Sequence, residues 1–174
     1  VILCYNLNHL QELQLPEPDS SWTWDRLIDV AEQLTRNSGN GHRYGFYFHP
    51  LSANRWPIFL LQNASQFQRD EKGKYHLCGT PMMEGLRRCR DLIQKKDIFP
   101  GFLSESEADA EALFLQEKVS MIMTTYFNLN HLREAKFPFD ISPVPYLKTP
   151  ATLFLVIGLA INRRSNQKEA ARTL

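Results

Sequence analysis

The chain of 174 residues reads as an α/β domain. Three observations predict that class. Short apolar runs of strand type alternate with amphipathic stretches of helical period. Helix start signals stand where those stretches begin. No internal repeat or low-complexity stretch interrupts the alternation, so the pattern is that of a largely covered sheet with helices packed on it.

The elements follow in order. Val1 to Tyr5 is an apolar run and is expected to be a buried strand, with Asn6 to Leu13 a short amphipathic turn or helix. Pro16, Pro18 and Asp19-Ser20-Ser21 form a loop. Thr23 is an N-cap candidate, Asp25 lies in the first turn, and Leu27, Val30, Ala31 and Leu34 share one helical face. Asn37 to Gly41 ends that helix, and aromatic Tyr44 to Phe48 reads as a strand. A helix is expected from about 54 to 62, then a surface hairpin in which Phe67-Gln68-Arg69 and Tyr75-His76-Leu77 flank Asp70 to Lys74. Thr80-Pro81 has the hydroxyl-then-proline form of a helix start, and Met82, Leu86, Cys89 and Ile93 make one apolar stripe. Ser106 with Asp109 resembles a capping box opening a helix to about 116. Val119 to Met123 is a buried strand, followed by a short helix to about 135, an irregular strand at Asp140 to Pro145 and a last strand at Leu153 to Ile161.

Composition removes several function classes. Hydrophobic residues are 43% and charged residues 22%, which is globular rather than disordered. Twenty Lys and Arg against 19 Asp and Glu leave a net charge of +1, without the basic surplus of a nucleic-acid binder, so no direct nucleic-acid contact is expected. The longest apolar run, Ala151 to Ile161, falls short of the roughly 18 residues of a membrane span. Both ends read as cut, so the chain is expected to be a piece of a longer protein.

Catalytic signatures are missing. The sequence holds no glycine-rich nucleotide loop, no paired zinc histidines and no nucleophile elbow, so no catalytic residue, metal ligand or cofactor is expected. The acidic group Glu105, Glu107, Asp109 and Glu111 reads as a solvated helix N-terminus favoured by the helix dipole. Cys4, Cys78 and Cys89 are odd in number and far apart; three free thiols are expected, and free thiols are more at home in a reducing compartment.

One pattern points to ligand chemistry. Aromatic residues mixed with amides and hydroxyls stand where strands end and helices begin, at His49 to Trp56 and at Thr124 to Asn128. Ligands of open α/β sheets bind outside the carboxyl ends of strands. Carbohydrates need this mixture: a flat aromatic face for the C–H side of the ring and hydrogen-bonding groups for its rim.

Four stretches, in order, resemble the extracellular solute-binding proteins of family 1, the maltose-binding-protein-like partners of carbohydrate ABC importers. They are Leu3-Cys4-Tyr5-Asn6 with the helix start at Leu7 to Leu10, Pro18 to Thr35, Phe114 to Met123, and Val144-Pro145 through Ser165 to Ala170-Ala171. The resemblance implies a type II periplasmic-binding-protein fold, with this chain being mostly one lobe. Residues 1–150 would be the ligand-binding lobe. Residues 151–174 would be a hinge-region strand and the start of the following helix.

Ser52, Asn54, Trp56, Thr125, Tyr126, Phe127 and Asn128 are then the ligand-binding candidates, with Phe127 where the family carries a pocket tryptophan. No carboxylate stands in the loop of Ser52 to Trp56, which counts against a maltodextrin-type ligand. The resemblance implies a monomer that binds a small-molecule carbohydrate without catalysis and hands it to ABC transporter permease subunits. It would sit outside the cytoplasm, membrane-tethered or secreted. The alternative is a cytosolic sugar-sensing domain of a transcriptional regulator, which the unpaired cysteines favour.

Overall fold

The computed structural model describes residues 1–38, 41–50, 52, 54–63, 69–76, 78–95, 97–101, 109–154, 156, 158 and 160–173. Five strands form one mixed sheet: β1 (Ile2–Asn6), β2 (Arg36–Ser38), β3 (Gly41–Tyr47), β4 (Val119–Thr124) and β5 (Phe139–Ser142), in the spatial order β2-β3-β4-β1-β5. Only β3 and β4 run parallel, with Tyr44 beside Val119 and Tyr47 beside Ile122. β1 is antiparallel to both β4 and β5, placing Leu3 between Met123 and Ser142. All six residues of β4 are buried, because the central strand is covered on both faces.

The helices α1 (Leu7–Glu12), α2 (Trp24–Leu34), α3 (Pro57–Asn63), α4 (Pro81–Ile93), α5 (Ala110–Leu115), α6 (Leu129–Leu132) and α7 (Lys168–Arg172) complete the described elements, with a 3-10 turn at Tyr126–Asn128. Asn6 caps α1 by accepting from the His9 amide, and the Thr23 hydroxyl accepts from the Arg26 amide at 3.2 Å to cap α2. The buried face of α2 is Trp24, Leu27, Val30, Ala31 and Leu34. Trp24 stacks on Phe59 with ring centroids 4.3 Å apart, tying α2 to α3.

Gln62 is the polar knot of this layer. Its side chain accepts from the Trp24 indole at 2.7 Å and donates to the carbonyls of Pro145 at 2.7 Å and Ala151 at 3.0 Å. A buried amide satisfied this fully fixes where the chain returns after β5. The Val1 nitrogen in turn donates to the Leu153 carbonyl at 3.1 Å, so the segment entering β1 and the segment leaving the sheet lie side by side.

Four expectations need correction. The helix ending at Leu34 is followed by strand β2 rather than a turn, because the polar Arg36–Ser38 pair with β3. On α4 the buried stripe is Met82, Gly85, Cys89 and Leu92, one position round from the expected Leu86 and Ile93. Asp109, not Ser106, is the N-cap of α5, and Ser106 lies outside the described residues. The described residues of 153–161 make no strand: among the described residues none pairs with them as a neighbouring strand, and Phe154 and Val156 are 88% and 78% exposed. Of the expected hairpin, Arg69 and Tyr75 form one antiparallel bridge, and residues 67, 68 and 77 lie outside the described residues. No helix among the described residues is long and apolar enough to cross a membrane.

Candidate functional site

The parallel pair β3–β4 ends at Tyr47 and Thr124, and the two segments named from the sequence leave the sheet there, on neighbouring strands. The first segment turns tightly, with the Ser52 amide donating to the His49 carbonyl and the Arg55 amide to the Ser52 carbonyl, both at 3.0 Å. Ser52 and Asn54 are half-buried; Trp56 is half-buried too, but packs against the hydrophobic core.

Arg55 ties the first segment to β4, one residue before the second begins. It is 6% exposed, its Nε donates to the Met123 carbonyl at 3.0 Å, and its Nη1 donates to the Asn54 side-chain carbonyl at 2.5 Å. Burial lowers its pKa, while the carboxylates of Glu111 and Asp109 favour its charge. An always-charged guanidinium buried at a strand end needs such neighbours.

The second segment leaves β4 through Thr124 and buried Thr125 into the 3-10 turn. Tyr126 is 72% exposed and Phe127 58% exposed, and adjacent aromatics so poorly covered are candidates for contact with a ligand. With Arg133, Asp140 and Ile141 they wall an open groove of about 430 Å³. Asn128 is half-buried and turned inward. Of the seven sequence candidates, Thr125, Tyr126, Phe127 and Asn128 form one turn; Ser52 and Asn54 stand on the neighbouring loop, which Arg55 ties to β4 at Met123, and Trp56 packs on the core.

Glu111 overturns the reading of its acidic group as a solvated helix start. It is 3% exposed, and its carboxylate accepts hydrogen bonds from the Thr124 hydroxyl and, at 2.5 Å, from the Asn128 amide. Burial alone would raise the Glu111 pKa, but hydrogen bonds from Asp109, Thr124 and Asn128 outweigh it and hold the carboxyl below its ordinary range. Asp109 moves the other way, to about 6, first through its hydrogen bond with Glu111 and then through burial and the like charge. As the pH falls, the pair therefore takes up its first proton on Asp109, near pH 6, while Glu111 stays ionised. Glu105 and Glu107 lie outside the described residues.

Sequence reasoning missed Arg55 and Glu111 as site residues. Arg55 carried no pattern signal. Glu111 did: it stands three residues before Phe114 and one before Ala112 on a helix whose buried face includes Ala110, Leu113 and Phe114. A second groove of about 430 Å³, with His9, Glu12, Arg36, Arg43 and Lys118 in its walls, lies at the opposite end of β3 and β4. Among the described residues no cluster of His, Cys, Asp and Glu could hold a metal ion.

A mixed sheet with ligand-type loops at its parallel strand ends is one α/β lobe of the type II periplasmic-binding-protein fold, and solved structures match it. An ABC substrate-binding protein from Listeria monocytogenes in complex with cycloalternan superposes with a TM-score of 0.79 at 18% identity, over 99% of this chain and 44% of that one. A Thermus thermophilus maltotriose-binding protein with bound maltotriose gives a TM-score of 0.68 at 22% identity, over 99% and 45%. A Thermotoga lettingae solute-binding protein bound with α-D-tagatose gives 0.69 at 20%, over 86% and 40%. This chain thus spans less than half of each of these structures. No curated protein sequence matches it.

The family model of bacterial extracellular solute-binding proteins matches residues 2–174, and the chain belongs to that family.

Proposed function

We propose that the chain forms most of the ligand-binding lobe of a carbohydrate-binding protein that serves an ABC importer. One observation carries the reading: Tyr126 and Phe127 project largely uncovered from the carboxyl end of β4, beside Thr125 and Asn128. The aromatic faces stack on the apolar side of a sugar ring, and Asn54 and Ser52 address its hydroxyls, while Asn128, turned inward onto Glu111, supports the turn from behind. The relatives named above with bound cycloalternan, maltotriose and tagatose support a sugar as the class of ligand.

Residues 1–150 are the lobe proper, and 151–174 lead through a hinge into the next helix, for which α7 supplies the start. The adjacency of Val1 and Leu153 supports this division, since it sets the two segments at this edge of the sheet side by side. The ligand lies between lobes, so function is binding and release without catalysis. The protein works as a monomer outside the cytoplasm, tethered or secreted, and docks on permease subunits. The alternative of a cytosolic sensor finds no support in the comparisons.

A thermal-shift screen of the full-length protein against mono- and oligosaccharides tests the reading. A sugar present at a hundred times its Kd adds about 2.7 kcal/mol of stability, which a melting curve resolves. Stabilisation by organic or amino acids alone, with every sugar silent, would replace carbohydrate by another solute class.

A further inference from the structure

The residue that most needs explaining at this end of the sheet is Glu111. A buried carboxylate is a poor stabilising device, because apolar side chains of similar volume commonly hold a fold as well or better. Its hydrogen bonds are spent on one short piece of chain. Thr124 ends β4, Asn128 ends the 3-10 turn, and both donate to the same Glu111 oxygen. Those two residues bracket Tyr126 and Phe127.

The rest of the turn is held by backbone: the Leu129 N–H donates to the Tyr126 carbonyl, and Leu129 packs on the core beyond it. The Asn128 amide donates to the Thr125 carbonyl at 3.1 Å, Thr125 gives no side-chain cap, and the two aromatics are too exposed to be fixed by packing. We propose that Glu111 is a positioning residue: its carboxylate clasps both ends of the β4 exit turn and thereby fixes the direction in which Tyr126 and Phe127 face the cleft. This rests on the reading of that cleft as the ligand site.

The surroundings keep the clasp ionised. Asp109, at the N-cap of the same helix, takes up a proton before Glu111 does as the pH falls; Arg55, from the loop before α3, brings a positive charge; Cys4, on β1, is neutral, its thiol pushed up to about 12 by burial and then by the Glu111 charge. A preorganised aromatic platform loses less entropy when a sugar stacks on it than a mobile one would.

The test uses the full-length protein carrying 4-fluorophenylalanine at position 127, read by fluorine NMR with no ligand added. Wild type gives one narrow Phe127 line. Glu111→Gln, which keeps an acceptor oxygen, retains it, whereas Glu111→Met fills the same space without an acceptor and broadens or splits it. Asn128→Ala removes one arm of the clasp from a half-buried position and also broadens the line, which keeps the test decisive if Glu111→Met fails to fold. A Phe127 line unchanged in Asn128→Ala, or in a folded Glu111→Met, overturns the proposal. Cycloalternan, D-tagatose and maltotriose, each added to wild type, then separate the two questions: a broadened line in the variants with no shift from any of the three sugars in wild type supports the clasp and counts against the sugar site.

Discussion

Gly85 lies in the middle of α4, where glycine ordinarily weakens a helix by roughly 0.5–1 kcal/mol relative to alanine. Its presence is explained by the approach of α3. A Cβ built at Gly85 would stand 2.7 Å from the Phe59 carbonyl carbon and 3.1 Å from the Leu60 nitrogen, both backbone atoms. Ordinary carbon contacts begin near 3.5 Å, so Gly85→Ala forces the two helices apart by about 1 Å. Overpacking of that kind costs about 1–3 kcal/mol, and a rigid backbone wall puts this site at the upper end. After the helical gain of alanine is subtracted, the expected net loss is about 2 kcal/mol. For a chain of this size that lowers Tm by about 4–8 °C. Differential scanning calorimetry reads the shift directly. An unchanged or raised Tm would refute the reasoning, because the helical preference would then have prevailed over the contact.

Three thiols offer a separate check. Cys4 and Cys89 are buried, and burial pushes both up to about 12, whereas Cys78 is exposed, so under native conditions alkylation followed by mass spectrometry should label Cys78 alone. His9 supplies a pH dependence: burial and then the Arg43 charge lower its imidazole from 6.5 to about 4, despite Glu117 alongside. The unfolded chain therefore takes up the proton before the folded one does, and stability falls as the pH drops from 6.5 toward 4. Down to about pH 5 the loss is about 2 kcal/mol, and denaturant titrations of His9→Gln beside wild type should show the slope shrinking in the variant. Gly45→Ala should be at least as damaging as Gly85→Ala, since its Cβ would fall 2.6 Å from the Ala31 Cα, in a β3–α2 contact with no side chain to yield; soluble yield and Tm both report it.

Much of this architecture is legible in the residues themselves, where local pattern and tertiary packing agree. Val119 to Met123 is apolar except for Ser120, whose buried hydroxyl is partnered by His9, because β4 is covered on both faces, and Thr23 announces α2 because its hydroxyl has a local amide to accept from. What escaped depends on partners remote in sequence. Arg36–Ser38 is polar and becomes a strand only by pairing with β3. The run from Leu153 to Ile161 has the composition of a strand, yet among the described residues no strand pairs with it. The same division holds at the cleft. Tyr126 and Phe127 were readable as aromatics following a buried strand, and Arg55 was hidden because its partners are a backbone carbonyl 68 residues away and an adjacent amide. Glu111 was misread because acidic residues at a helix start are ordinarily solvated, and here the helix turns that residue toward Thr124.

The central claim is that the exposed aromatics after β4 are the platform on which a sugar binds. Phe127 is 58% exposed, so replacing it with alanine should leave the fold intact and remove only the contact. Calorimetric titration of the full-length protein with the sugar that stabilises it most, wild type beside Phe127→Ala, is the direct measurement. Phe127→Ala should lose about 1–3 kcal/mol of binding, roughly 5- to 150-fold in Kd, with an unchanged melting temperature in the absence of sugar. Equal affinities for the two proteins would contradict it.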